Sequence, residues 1–363
     1  MIIQELTLKN FRCFDERVIP FDGRVVVIEG PNGSGKSSIL EALHYSCYLR
    51  SFRTHLNREL ISLGQDYFFA KIKVAHHNAA DIDNIHIGFS QAEGKVVTCN
   101  ETTINSYKDL LSRVRVVTLA ADDLELVQGS PELRRDFLNY ALLLNYPDLT
   151  TLVKRFKQVL ENRNSLLMTH RTNSDEFDIW TEKLWHESRA LQEHRRDYLQ
   201  RLEQSVNALL ANYFLTSHDA DLTVRFEYTP KNMSGDDFNT FWAGYRTKHG
   251  QTEQEWRRSL FGAHLDDFAV IFQNKKARVY ASRGQQKLLV LLIKIAQLQQ
   301  LSSSGEPGVL LLDDFMTDFD ATKVERSVAA LKDLQFQMFL SCPVSPDVFL
   351  RNLSPGDITH IRL

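Results

Sequence analysis

Gly30 to Ser37 read GPNGSGKS, a run that fits the spacing GxxxxGK[ST] expected between a strand and a helix. The flanks agree. A Val-rich stretch of buried-strand type, Arg24 to Glu29, precedes the run, and SILEALHYS follows with helical character. Gly30, Pro31, Asn32, Gly33, Ser34 and Gly35 would form a loop whose backbone N–H groups turn toward phosphate oxygens. Lys36 would bring a positive charge to the β and γ phosphates, and the Ser37 hydroxyl would ligate magnesium, with Ser38 beside it in the first helical turn. The helix then points its N-terminus at the same anion. A tight strand-to-helix turn without nucleotide is the alternative, and it needs strand, motif and helix to coincide by chance.

A second group lies far along the chain. Gly308 to Asp314, GVLLLDD, is an apolar run ending in two carboxylates, as expected at the C-terminal edge of a parallel sheet. Asp313 is placed to hold magnesium and Asp314 to orient or deprotonate an attacking water. An apolar run meeting solvent would look the same in isolation, so the weight comes from the pairing with Lys36. A third group, Ser282 to Gln286 (SRGQQ), opens a helix with apolar residues at Leu288, Leu289, Leu292, Ile295, Ala296 and Leu298. Ser282 fits its N-cap, and with Gly284 and Gln285 it forms an anion-binding helix start that resembles the signature of ABC-type ATPases. In such enzymes the signature of one protomer and the phosphate loop of another enclose one ATP.

These residues need a scaffold. The chain of 363 residues is 43% hydrophobic and 25% charged, which excludes disorder and leaves room for about two domains. Four widely spaced cysteines form no CxxC pair, so neither a zinc site nor a disulfide framework is suggested, and a reducing cytosol fits. No signal peptide is read at the start, and the most apolar stretch, Leu288 to Ala296, is broken by Lys294, so no membrane role is expected. Net charge is -3, which offers nucleic acid no global attraction. Locally, Phe268 to Gly305 carries Lys275, Lys276, Arg278, Arg283, Lys287 and Lys294 and not one acid.

Ile2 to Leu8 alternates like a strand, as does Leu222 to Tyr228. Between Pro147 and Leu215 the spacing turns helical, with the turn formers Thr169 to Asp175 separating two amphipathic runs that suggest an antiparallel pair. Loops are expected at Pro230 to Gly235 and Ser302 to Pro307. The expected architecture is an α/β P-loop ATPase core, similar to the ABC type by its motifs, built from residues 1–117 and 283–363. A mainly helical lobe, 118–282, is inserted and carries the signature at its end.

Over essentially its whole length the chain resembles the RecF family of bacterial DNA-repair ATPases, relatives of the SMC heads. The resemblance rests on LTLKNFRCF at the start, on Ser51, Phe52 and Arg53, and on DDLELVQGSPELRRDFLN with Gly129, Pro131, Arg134 and Arg135. It extends through Arg163 and Asn164, GAHLDDF (Gly262 to Phe268) and TDFD (Thr317 to Asp320). The chain departs from the family at Ala263, Leu265, Arg283 and Ser341, where proline, arginine, glutamine and threonine are usual. The resemblance implies Asn10, Arg12 and Arg53 near the nucleotide, Ser282 acting across an ATP-dependent homodimer, and ATP and magnesium as cofactors. It also implies a cytoplasmic, slow ATPase that binds DNA at single-strand gaps and duplex junctions and works with RecO and RecR to load RecA. Arg134, Arg135, Lys154 and Arg155 are candidates for phosphate contacts, with ordinary helix-surface charge as the equally good alternative. An ABC transporter subunit would share the motifs but not the helical insertion or RRDFLN. An SMC-like tether would need sustained heptads, and a metabolic kinase would need no SRGQQ element.

Overall fold

The computed structural model describes all residues except 77–80, 215–221, 232, 234–236, 304–306, 315–318, 320 and 343–356. The chain divides into two units, one comprising Met1–Leu124, Ser205–Ala220 and Ser282–Leu363, the other Glu125–Gln204 and Asp221–Ala281. The division falls at 124/125 rather than at 117/118, and it places Ser282 and the segment from Ser205 in the first unit.

In chain order the elements up to Leu119 are β1 (Ile2–Phe11), β2 (Phe14–Pro20), β3 (Val25–Glu29), α1 (Lys36–Tyr48), β4 (Tyr67–Ala75), β5 (Ile82–Ser90), β6 (Gly94–Cys99), β7 (Thr102–Thr103), α2 (Tyr107–Arg113) and β8 (Val116–Leu119). Then come α3 (Glu125–Gln128), α4 (Pro131–Asn145), α5 (Thr150–Met168), α6 (Asp175–Tyr213), β9 (Val224–Thr229), α7 (Phe238–Trp256), β10 (Asp267–Phe272), β11 (Lys275–Lys276) and α8 (Ala277–Tyr280). The chain closes with α9 (Arg283–Ser303), β12 (Val309–Asp313), α10 (Ala321–Lys332), β13 (Met338–Cys342) and β14 (Ile358–Arg362).

The first unit holds two sheets. One is parallel, ordered β14-β3-β13-β12-β8, so strands from both chain ends interleave. Its central strands are apolar throughout: Val25 to Ile28 and Val309 to Leu312 are fully buried, which is why they read as continuous runs rather than alternating ones. The other sheet is an antiparallel meander, β2-β1-β4-β5-β6-β7. In β4 the buried Phe68, Ala70, Ile72 and Val74 alternate with Lys71 and Lys73, the period-2 pattern of a sheet with one wet face. The helix α9 buries more than one stripe, because Leu291 and Ile293 are as enclosed as Leu292 and Ile295.

The second unit is mainly helical, as the spacing predicts. The helices α5 and α6 run antiparallel, since Arg163 meets Thr181 while Arg155, two turns earlier, meets Glu187. Arg163 is fully buried, donates to both oxygens of Glu253 at 2.8 and 2.6 Å and to Ser259 at 2.7 Å, and lies over the Phe177 ring. A buried cation persists only when paired and hydrogen-bonded in this way. The helix α4 starts with Ser130 in an extended conformation and Pro131 in its first turn, the position where a missing N–H costs nothing. A small antiparallel sheet, β11-β10-β9, completes the unit.

Candidate nucleotide-binding site

The loop after β3 turns through two left-handed glycines, Gly33 at φ +86 and Gly35 at φ +102, a region that side chains with a Cβ rarely adopt. Gly35 is doubly constrained, because a Cβ there would meet Phe14 Cζ at 2.6 Å and Cys13 Sγ at 2.8 Å. Gly35 also serves as the N-cap of α1, which has no side-chain cap and no acid in its first turn. Its first N–H groups are therefore open to an anion. Ser34 Oγ is buried without a hydrogen-bond partner among the described residues, a further polar group suited to a ligand oxygen. Lys36 is 5% exposed and folds back on the loop, donating to the carbonyls of Gly30 at 2.7 Å and Pro31 at 2.9 Å. Pro31, Asn32 and Gly33 form the exposed tip.

The acidic edge faces this loop. Parallel pairing sets Asp313 at the end of β12 beside Ser341 of β13. Two hydroxyls converge on Asp313 Oδ1, that of Ser37 at 2.9 Å and that of Ser341 at 2.6 Å. Asp314 leaves the strand at φ +46, and its N–H donates to Ser341 Oγ at 3.0 Å. Ser341, absent from the sequence-based site, thus links the two acids. A Ser hydroxyl and a carboxylate this close are hard oxygen donors of the type magnesium takes, so the residues present fit that cation. Burial first and then the Asp313 charge raise the Asp314 carboxyl above the ordinary carboxylate range, while Lys36 and Lys287 oppose the rise. A cavity of about 110 Å³ opens beside the pair, lined by Asp313, Asp314, Leu119, Ala120, Arg283 and Lys287 among others.

On α1 the expected arginines gather around an acid that the sequence did not announce. Glu41 is fully buried and accepts from Arg12 Nε at 2.8 Å and Nη2 at 2.6 Å, as well as from the Ser51 hydroxyl, with Arg53 at 3.6 Å. Arg12 and Arg53 are therefore brought together on the phosphate-loop helix, and their guanidinium groups are held by Glu41. Asn10 and Arg12 both have left-handed backbones, and the Asn10 carbonyl accepts from Ser62 N–H. The signal in the sequence is an acid, Glu41, between the apolar Leu40 and Ala42 of the helix.

The third motif forms a capping box: Gln285 N–H donates to Ser282 Oγ at 3.3 Å while Ser282 N–H donates to Gln285 Oε1 at 2.8 Å. Ser282 is exposed, Gly284 half-buried. Among the described residues no hydrogen bond joins Ser282, Gly284 or Gln285 to the Lys36 loop. The α4 arginines have partners within the second unit. Arg134 is buried, grips Asp267 at 2.7 and 3.0 Å and donates to Gly129 O, and Arg135 donates to Asp266 O at 3.0 Å. Arg134 is thereby taken up within the second unit, while Arg135 spends one of its donors on a backbone carbonyl. The TDFD loop lies outside the described residues save Phe319.

The family model described as AAA domain matches residues 5–221. The chain belongs to the AAA domain family. Within it, the RecF resemblance read from the motifs is borne out over nearly the whole length. The chain is 29% identical over 94% of its length to the DNA replication and repair protein RecF of a Cyanothece species, covering 91% of that protein. It is 28% identical over 92% to the RecF of Chlorobium phaeobacteroides, covering 93%. A solved structure of the recombination mediator protein RecF with ATP, in the RecFOR pathway, superposes with a TM-score of 0.84 at 25% identity, covering 95% of this chain and 92% of that one. An SMC head domain from Pyrococcus furiosus, bound to the C-terminal domain of ScpA, shares the fold at a TM-score of 0.54 and 15% identity, over 96% of this chain and 91% of that one. The ABC-type, SMC head-like α/β fold expected from the motifs is thus the fold present, and the transporter alternative is not favoured. Among the described residues no helix is long and apolar enough to cross a membrane.

Proposed function

We propose that the chain is an ATP-dependent DNA-binding protein of recombinational repair and replication restart, which binds ATP with magnesium at Gly30 to Ser38 and hydrolyses it slowly. The observation that carries this reading is the convergence of Ser37 and Ser341 on Asp313, with Lys36 buried in the same unit. Ser37 and Asp313 would hold magnesium, which would supply positive charge against the phosphate oxygens. Lys36 moves from the Gly30 and Pro31 carbonyls to the phosphates, an exchange of neutral acceptors for charged ones that strengthens its bonds. Asp314, whose protonated form is favoured by burial, positions the attacking water and takes its proton. Arg12 and Arg53 border the nucleotide through Glu41.

The capped helix start at Ser282, Gly284 and Gln285 reaches the γ-phosphate held by a second copy, giving an ATP-dependent homodimer on DNA at single-strand gaps and duplex junctions. RecO and RecR are its expected partners in loading RecA, and the cytoplasm its compartment. Sedimentation velocity with and without ATP and magnesium tests the reading. The wild type should dimerise only with ATP, Lys36→Met should not bind nucleotide, and Ser282→Arg should bind ATP yet stay monomeric. A Ser282→Arg variant that dimerises normally with ATP would overturn the cross-protomer assignment.

A further inference from the structure

The acid-free stretch from Phe268 to Gly305 is not one patch. Lys294 is spent on Asp123 at 2.6 Å, and Lys287 and the exposed Arg283 line the cavity beside Asp313 and Asp314, within the site already described. What remains exposed is the hairpin of the second unit. There Ile271 pairs with Lys276 and Phe272 with Lys275 around a two-residue turn, Gln273 and Asn274, both with positive φ. Both central residues left-handed is the tight turn that matches strand twist, and it presents Lys275 and Lys276 together at the tip. The single turn of α8 follows. Ala277 is its buried anchor at 1% exposure, leaving Arg278 exposed and Val279 and Tyr280 each 67% exposed. Lys275 Nζ lies 5.5 Å from the centroid of the Tyr280 ring. Among the described residues Lys275, Lys276 and Arg278 make no ion pair, in contrast to Arg134, Arg155 and Lys294.

Unpaired cations around a solvent-facing aromatic ring suit one class of partner. Phosphates answer the cations, and a base has a face for the ring. A protein partner would be expected to answer three cations with acids, and a second copy meeting this surface through the same stretch has none to offer. We propose that Gln273 to Tyr280 is a nucleic-acid contact in which Lys275, Lys276 and Arg278 engage the phosphates of an unpaired strand and Tyr280 stacks on a base. The proposal rests on the reading of the chain as a DNA-binding ATPase and assigns its strand-contacting surface.

The test is fluorescence anisotropy with a fluorescein-labelled oligothymidylate, with ATP and magnesium present, across a salt series. The triple variant Lys275→Ala/Lys276→Ala/Arg278→Ala should lose on the order of a hundredfold in affinity, and its log-affinity against log-salt slope should shrink by about two. Tyr280→Ala should cost about tenfold on the oligothymidylate and nothing on an abasic strand of equal length, while Tyr280→Phe should bind as wild type. A control removes two charges near another exposed aromatic residue, Trp256, by Arg257→Ala/Arg258→Ala, and is set beside the two-charge variant Lys275→Ala/Lys276→Ala as well as the triple one. Equal losses in this control and the triple variant would overturn the assignment. So would an unchanged salt slope, or a triple variant whose only defect is ATP-dependent dimerisation in the centrifuge, since the surface would then belong to a second copy. A wild type that binds a fluorescent ATP analogue but no oligonucleotide would also refute the contact while leaving the nucleotide site standing.

Discussion

Ser341→Ala removes one hydroxyl and with it two bonds: the donor to Asp313 Oδ1 at 2.6 Å and the acceptor for Asp314 N–H at 3.0 Å. Ser341 is 3% exposed, so bulk water does not readily replace it. A hydrogen bond to a charged group contributes about 1.5 to 3 kcal/mol. If that loss falls on the placement of Asp313, the affinity for magnesium nucleotide should drop by roughly 10- to 100-fold. The Ser37 hydroxyl still reaches the same oxygen, which favours the lower end. Equilibrium binding of a fluorescent ATP analogue, titrated against magnesium, reads the effect. The loss should vanish when magnesium is withheld, because Lys36 and the glycine loop bind phosphates without Asp313. Ser341→Thr, which keeps the hydroxyl, should restore binding to within about threefold, well below the roughly tenfold that 1.4 kcal/mol represents. An alanine variant equally impaired with and without magnesium would show that Ser341 merely supports the strand edge, and an unimpaired one would refute the linkage altogether.

Three further outcomes follow from the same geometry. Gly35→Ala should destabilise the first unit by about 1 to 3 kcal/mol through its left-handed backbone and displace Phe14, which a Cβ would meet at 2.6 Å; the melting temperature and analogue binding should fall together. Glu41→Gln should cost about 3 kcal/mol in urea unfolding, the low end for a broken buried pair, because Arg12 keeps 21% side-chain exposure. Burial lowers the His264 pKa to about 4, and its Nδ1 is buried with no partner among the described residues. The unfolded chain therefore binds the proton more readily, so stability is whole above about pH 6.5 and falls toward pH 4, by about 3 kcal/mol in all. His264→Gln should flatten the urea midpoint over that window relative to wild type, and an unchanged pH dependence would refute it.

What the sequence made legible was chemistry carried by neighbours in the chain. Glycines at 33 and 35, a lysine, a serine and the adjoining Val-rich strand declare their geometry because each residue type answers a local backbone or ligand demand. The long helices of the second unit were legible for the same reason, since their apolar spacing repeats over many turns. Glu41 and Ser341 were not. Their partners come from segments far off in sequence, Arg12 and Arg53 in one case and Asp313 in the other, and a lone acid in a helix or a lone serine at a strand end has many ordinary explanations. The meander from β4 to β7 lay within reach of a period-2 reading, as Phe68, Ala70, Ile72 and Val74 show. Charge misled most where pairing is remote. Arg134 looks like a surface cation until Asp267 arrives from across the second unit, whereas among the described residues Lys275, Lys276 and Arg278 meet no such acid. A cation is informative about a partner only after the fold has had its chance to neutralise it, and in this chain that separates the hairpin at Gln273 to Tyr280 from Arg134 of α4.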